Sequence, residues 1–108
     1  MRDMAESFWV GGWEHVIISE NEQTDGKRPV IRQLCFGPLE TLEYGVMNGK
    51  FYFESRVLEG IDEGECIFKF IGAERFIEVI QNEIALCEKH APQLSEQVKA
   101  RLDGFCLR

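Results

Sequence analysis

The stretch Leu42-Glu43-Tyr44-Gly45-Val46-Met47-Asn48-Gly49-Lys50-Phe51-Tyr52-Phe53-Glu54-Ser55-Arg56-Val57 decides the fold. Asn48-Gly49 stands where a two-residue type I′ turn needs residues able to reach positive φ. Folding the flanks about that turn sets Met47 against Lys50, Val46 against Phe51, Gly45 against Tyr52, Tyr44 against Phe53, Glu43 against Glu54 and Leu42 against Ser55. One face then gathers Leu42, Tyr44, Val46, Phe51, Phe53 and Val57. The other gathers Glu43, Gly45, Met47, Lys50, Tyr52, Glu54 and Arg56. A slip of one residue would exchange core and solvent faces, so the alternation specifies the register. Tyr52 is expected to lie over Gly45 and compensate its missing side chain.

Towards the C-terminus, Glu59 to Glu65 reads as an acidic loop, followed by a strand over Cys66–Ile71 with Cys66, Phe68 and Phe70 on the core face and Ile67, Lys69 and Ile71 facing outward. At Ala73 the period changes from two to about 3.6. Ala73, Phe76, Ile77, Ile80, Ile84 and Cys87 form one apolar stripe, which predicts a helix from Ala73 to His90. Glu74 and Glu78 suit its positive N-terminal end, and Lys89 and His90 its negative C-terminal end. Pro92 breaks it. Leu94, Val98, Leu102 and Phe105 predict a second, shorter helix from Pro92 to Asp103, closed by Gly104.

Towards the N-terminus, Pro29 opens a strand over Val30–Phe36, since proline is not expected inside a central strand. Gly37-Pro38 turns from it into the hairpin. Trp13 to Ser19 reads as another strand, with Trp13, His15 and Ile17 on one face, and Asn21 to Arg28 as a turn region centred on Asp25-Gly26. Gly11-Gly12 interrupts the apolar run Phe8-Trp9-Val10, and residues 1–7 read as a flexible end. The expected fold is α+β: a curved antiparallel meander of about five strands with two C-terminal helices, the longer packed on the core face, in one domain over residues 1–108.

The chain has 108 residues, 44% of them hydrophobic, enough for one core. Twelve Lys and Arg face 19 Asp and Glu, a formal charge of −7 that disfavours nucleic-acid phosphate as a partner. No apolar run approaches the ~20 residues of a membrane-spanning helix, and the N-terminus lacks a signal peptide's apolar segment, so the expected setting is cytoplasmic. Cys35, Cys66, Cys87 and Cys106 are scattered, which points to free thiols.

No Walker loop, dinucleotide fingerprint or nucleophile elbow is present. Cys87 and His90, three apart on a helix, make half a metal site; no cofactor is expected, and the chain should purify without stoichiometric zinc. Glu43 and Glu54, directly opposite with Arg56 diagonal to Glu54, have the spacing of an acid/base pair, but the favoured reading is a solvated, charged sheet face. The outer face is expected to present Met47, Lys50, Tyr52, Glu54, Arg56, Ile67, Lys69 and Ile71 as a binding surface, an apolar patch rimmed by charge, unless Phe8-Trp9-Val10 folds over it. If the protein self-associates there, Tyr52→Asp should break the dimer and spare the fold. The expected function is a small acidic protein-binding domain of regulatory, adaptor or inhibitor type, contacting a protein partner or a second copy. The alternative is a small-ligand-binding protein or enzyme with a pocket between sheet and helix, lined by aromatics such as Tyr44, Phe53 and Phe68.

Overall fold

A computed structural model describes residues 6–18, 23, 25–35, 39–59 and 62–106. The strands are β1 (Glu6–Val10), β2 (Trp13–Ile17), β3 (Lys27–Cys35), β4 (Glu40–Met47), β5 (Lys50–Glu59) and β6 (Asp62–Ile71). They form a single antiparallel meander in the order β1-β2-β3-β4-β5-β6, with β1 and β6 at its two edges. Helix α1 (Ala73–His90) follows, then a 3₁₀ turn (Pro92–Leu94) and helix α2 (Ser95–Cys106). The architecture is α+β, with α1 packed on the sheet.

The β4–β5 register is the one the alternation dictates, from Met47 opposite Lys50 to Leu42 opposite Ser55. Asn48 and Gly49 hold φ of 53° and 76°, the two positive values of a type I′ turn. Tyr44, Val46 and Phe51 face the helix, and the Phe51 ring stacks on Phe76 of α1 with centroids 4.1 Å apart. Across the sheet the same face carries Phe8, His15 and Ile17 from β1 and β2 and Ile31 from β3. Phe76, Val79, Ile80 and Cys87 of α1 complete the core, with Val98 and Leu102 of α2. The Phe76 ring meets Phe105 edge-on, and Arg101 Nη1 lies 3.0 Å from Glu6 Oε1, joining α2 to β1.

The sheet has six strands rather than about five. Glu6 and Ser7, expected to fray, belong to β1, which turns back on β2 through Gly11-Gly12; Gly11 holds φ of 62°, the positive value a primed turn needs at its first central position. This places Phe8-Trp9-Val10 in the sheet and not over its outer face. Pro29 lies inside β3, a central strand, because the register shifts between Pro29 and Ile31: the bulge leaves Val30 unpaired with β4 and accommodates the missing N–H.

β6 is longer than expected: it begins at Asp62, which pairs with Glu59, so Asp62 to Glu65 of the expected acidic loop belong to the strand. Its facing is also reversed. Ile71 pairs with Phe51 and Lys69 with Phe53, so Ile67, Lys69 and Ile71 share the helix side while Cys66, Phe68 and Phe70 stand on the other. The reason is the connection: Gly72 caps α1 directly after Ile71, and the chain must turn onto the helix-bearing face there. At the far end α2 continues through Gly104 to Cys106 instead of stopping at Asp103. The expectations for Met1–Ala5 and for Gly37-Pro38 lie outside the described residues.

Gly45 is where two strands and a side chain meet. A Cβ there would stand 2.5 Å from the Arg28 carbonyl oxygen and 2.7 Å from the Tyr52 hydroxyl. Gly45→Ala is expected to destabilise the protein by about 1–3 kcal/mol through overpacking, read as a lower urea midpoint. An unchanged midpoint would show that the approach is looser than described.

Candidate functional site

The face turned away from α1 is built from the alternate residues of β3, β4, β5 and β6. One cross-strand row runs Arg32, Glu43, Glu54, Phe68, and its neighbour runs Leu34, Thr41, Arg56, Cys66. From these rows Arg32, Leu34, Thr41, Glu43, Glu54 and Arg56, together with Lys27 and Pro29, line a depression of about 390 Å³.

Its floor is a connected polar network. Tyr52, fully buried at 0% exposure, lies over Gly45 and donates its hydroxyl proton to Glu43 Oε2 at 2.6 Å. Arg32 Nε donates to the other Glu43 oxygen at 3.1 Å. Glu54 accepts from Lys27 Nζ at 2.7 Å on Oε1, and from Arg56 Nε at 2.8 Å and the Cys66 thiol at 3.8 Å on Oε2. Burial by itself would raise the Glu54 carboxyl, but the hydrogen bonds and charges of Lys27 and Arg56 outweigh it and hold it below the usual carboxylate range. Burial and the Glu43 carboxylate push the Tyr52 phenol well above its ordinary value, so it stays a proton donor. Glu43 and Glu54 do sit opposite each other, but Glu54 is not the raised, proton-holding member that an acid/base pair requires.

Beside the depression stands an aromatic ridge. Phe68 and Phe70 are 41% and 50% exposed, and meet edge-on at 5.4 Å. The Phe68 ring also stacks on Tyr52 at 5.2 Å. Lys27 Nζ stands 5.7 Å from the Phe68 centroid and Lys50 Nζ 5.4 Å from that of Phe70, within cation–π range.

The structure divides the expected binding surface in two. Met47, Lys50, Tyr52, Glu54 and Arg56 share the open face, whereas Ile67, Lys69 and Ile71 belong to the helix side, where Lys69 Nζ stands 5.9 Å from the Phe53 centroid. Glu54 and Tyr52 are buried beneath the surface instead of forming it. Tyr52→Asp therefore removes a buried side chain and a donor to Glu43, and is expected to destabilise the fold. The apolar part of the open face comes from Phe68 and Phe70, which the expected facing of β6 had placed inside.

A second constellation lies between sheet and helix. Glu83 of α1, 1% exposed, has Oε2 within 2.6 Å of His15 Nδ1 and accepts from Gln33 Nε2 at 3.0 Å on Oε1; the Phe8 ring stacks on His15 at 5.2 Å. Each Glu83 oxygen thus has a partner, as a buried carboxylate requires. Sequence reasoning missed Glu83, although its spacing from Phe76, Val79, Ile80 and Cys87 sets it within the buried stripe of α1. Next to it, Gln33, Tyr44, Arg75, Glu78, Val79, Asn82 and Glu83 line a cleft of about 440 Å³. Tyr44 and Phe53 line an adjoining recess, and Phe68 is on the opposite side of the sheet. The Tyr44 hydroxyl is raised by burial, against the lowering effect of Arg75.

Cys87 is buried with its thiol 3.7 Å from the Ala91 carbonyl oxygen, and burial raises it, whereas His90 is exposed. The two do not converge. Among the described residues no three His, Cys, Asp or Glu side chains cluster as metal ligands, and no helix is long and apolar enough to cross a membrane. Comparison of the chain with protein-family models, curated proteins and solved structures returns no match.

The network makes a pH prediction. The folded-state pKa of Glu54 lies below its unfolded value, so its stabilisation is present above 4.5 and is lost as the pH falls through the lowered value. The stability advantage of wild type over Glu54→Gln should be full at neutral pH and shrink on acidification below 4.5. Urea unfolding across that range checks it; an advantage that does not change with pH would remove the ionised Glu54 from the account.

Proposed function

We propose that the protein is a small binding domain of the regulatory, adaptor or inhibitor kind, which engages a protein partner with the open face of its sheet. The observation that carries this reading is the exposed pair Phe68 and Phe70 on a face that neither helix nor β1 covers. Large aromatics left in water beside cations have the anatomy of a contact surface, with an apolar centre and a charged rim. The neighbouring network is already hydrogen-bonded in the free protein, so its side chains lose little freedom when a partner seats. The reading replaces the patch expected around Tyr52, Ile67 and Ile71 by one around Phe68 and Phe70, with Lys27, Lys50 and Arg56 at its rim.

The test is a cross-linked capture from native lysate with three baits: wild type, Phe68→Ser/Phe70→Ser, and Lys89→Glu on the exposed part of α1. The wild type and the helix variant should recover the same stoichiometric partner, or a second copy of the chain, and the double variant should lose it. Recovery of nothing by wild type, or equal recovery by all three, contradicts the reading.

A second reading draws on the cleft beside α1, where Gln33, Tyr44, Asn82, Arg75 and Glu83 converge on a space of ligand size. In that case the protein is a small-ligand receptor or enzyme. Small-fragment NMR screening separates the two readings, because cleft ligands shift Tyr44 and Arg75 while contacts on the open face shift Phe68 and Arg56.

A further inference from the structure

We propose that the depression on the open sheet face is an anion-binding site, built for a carboxylate or phosphate group carried on an apolar body. The inference goes beyond the contact-surface reading and stands whether or not a protein partner uses that face.

The carboxylates at the depression are already paired in the free protein. Lys27, Arg32 and Arg56 line the depression with Glu43 and Glu54, so cations outnumber carboxylates there although the whole chain carries −7. All four carboxylate oxygens have donors: Tyr52 and Arg32 on Glu43, Lys27 and Arg56 on Glu54. The vertical order matters equally. The Arg56 side chain is 62% exposed and that of Arg32 29%, against 7% for Glu54 and 14% for Glu43. The carboxylates form the floor and the Arg56 guanidinium the rim, so a molecule entering from solvent meets its N–H donors first.

A guanidinium has five N–H donors, and the hydrogen bond from Arg56 to Glu54 uses only its Nε. Glu54 therefore orients Arg56 without exhausting it, leaving the terminal nitrogens for the planar, bidentate contact that carboxylates and phosphates favour. The apolar requirement comes from the walls. Pro29 and Leu34 line it, and the exposed Phe68 ring stands outside that lining but next to Glu54 in the same cross-strand row. A volume of about 390 Å³ holds a small aromatic acid or one acidic side chain with its neighbour.

The test is an NMR titration of the full chain with three probes: inorganic phosphate, phenyl phosphate, and a capped dipeptide of phenylalanine and glutamate. Saturable shifts are expected at the side-chain N–H groups of Arg56, with phenyl phosphate shifting the Phe68 ring as well and binding more tightly than phosphate. Arg56→Gln should weaken phenyl phosphate about tenfold, the loss of one charge-assisted contact, while Lys89→Gln on the exposed part of α1 should not. Tighter binding of phenyl phosphate than of the dipeptide assigns the site to a free small molecule, and the reverse order assigns it to an acidic side chain of a partner. No saturable shift with any probe, shifts confined to α1, or equal affinity in Arg56→Gln would overturn the proposal. The wild-type shift map needs no variant to fold. Anion binding with partner capture absent, or the reverse, separates this proposal from the contact-surface reading.

Discussion

Tyr52 lying over Gly45 is the constraint on which the open face depends. The ring occupies the space that any Cβ at position 45 would claim, and from there its hydroxyl reaches Glu43 across the strand pair at 2.6 Å. That contact commits one oxygen of Glu43 and leaves the other for Arg32. The same ring stacks against Phe68 with centroids 5.2 Å apart, on the face turned away from α1. A single glycine thus admits a buried tyrosine, and the tyrosine raises an aromatic ridge beside an ordered set of charges. The high pKa direction of the buried phenol keeps it protonated, so the donor that starts the network does not switch off near neutral pH.

The two faces of the sheet solve different problems. On the helix side the cost of burying Glu83 is offset by His15 and Gln33, and aromatic packing between Phe51, Phe76 and Phe105 supplies the cohesion. On the open side the carboxylates are covered, while Arg56, one of the cations that cover them, remains exposed. The acidic balance of the whole chain is therefore a poor guide to what the open face attracts. Net charge governs solubility and the long-range field, whereas a ligand within a few ångströms responds to the groups it touches.

Much of the fold was legible because local rules agreed with one another. The Asn-Gly turn, the alternation on its flanks and the small residue opposite Tyr52 all demand one register, and the change of period at Ala73 marks the start of α1. The errors arise where a non-local choice overrides a local pattern. Phe68 and Phe70 look like core residues by hydrophobicity alone, and only the short connection through Gly72 to a helix on the other side turns them outward. Pro29 looks like a strand boundary until a bulge absorbs it, and Glu6 and Ser7 look frayed until β2 supplies an edge to pair with. Glu83 is missed for a related reason: a charge in an apolar stripe makes sense only when its partners, far away in sequence, are known. The candidate site was half legible, since Glu43, Glu54, Arg56 and Tyr52 were placed together in the hairpin, while Lys27, Arg32 and Phe68 reach them only through pairing with β3 and β6.

The central claim is that one face of the sheet is open, with Phe68 and Phe70 exposed above a buried Tyr52. Hydroxyl-radical footprinting of the free protein, read residue by residue, tests it most directly, because the three aromatic rings have similar intrinsic reactivity and differ mainly in access to water. Phe68 and Phe70 should be oxidised readily and Tyr52 should be protected. Protection of both phenylalanines, or oxidation of Tyr52 at their rate, would contradict the account.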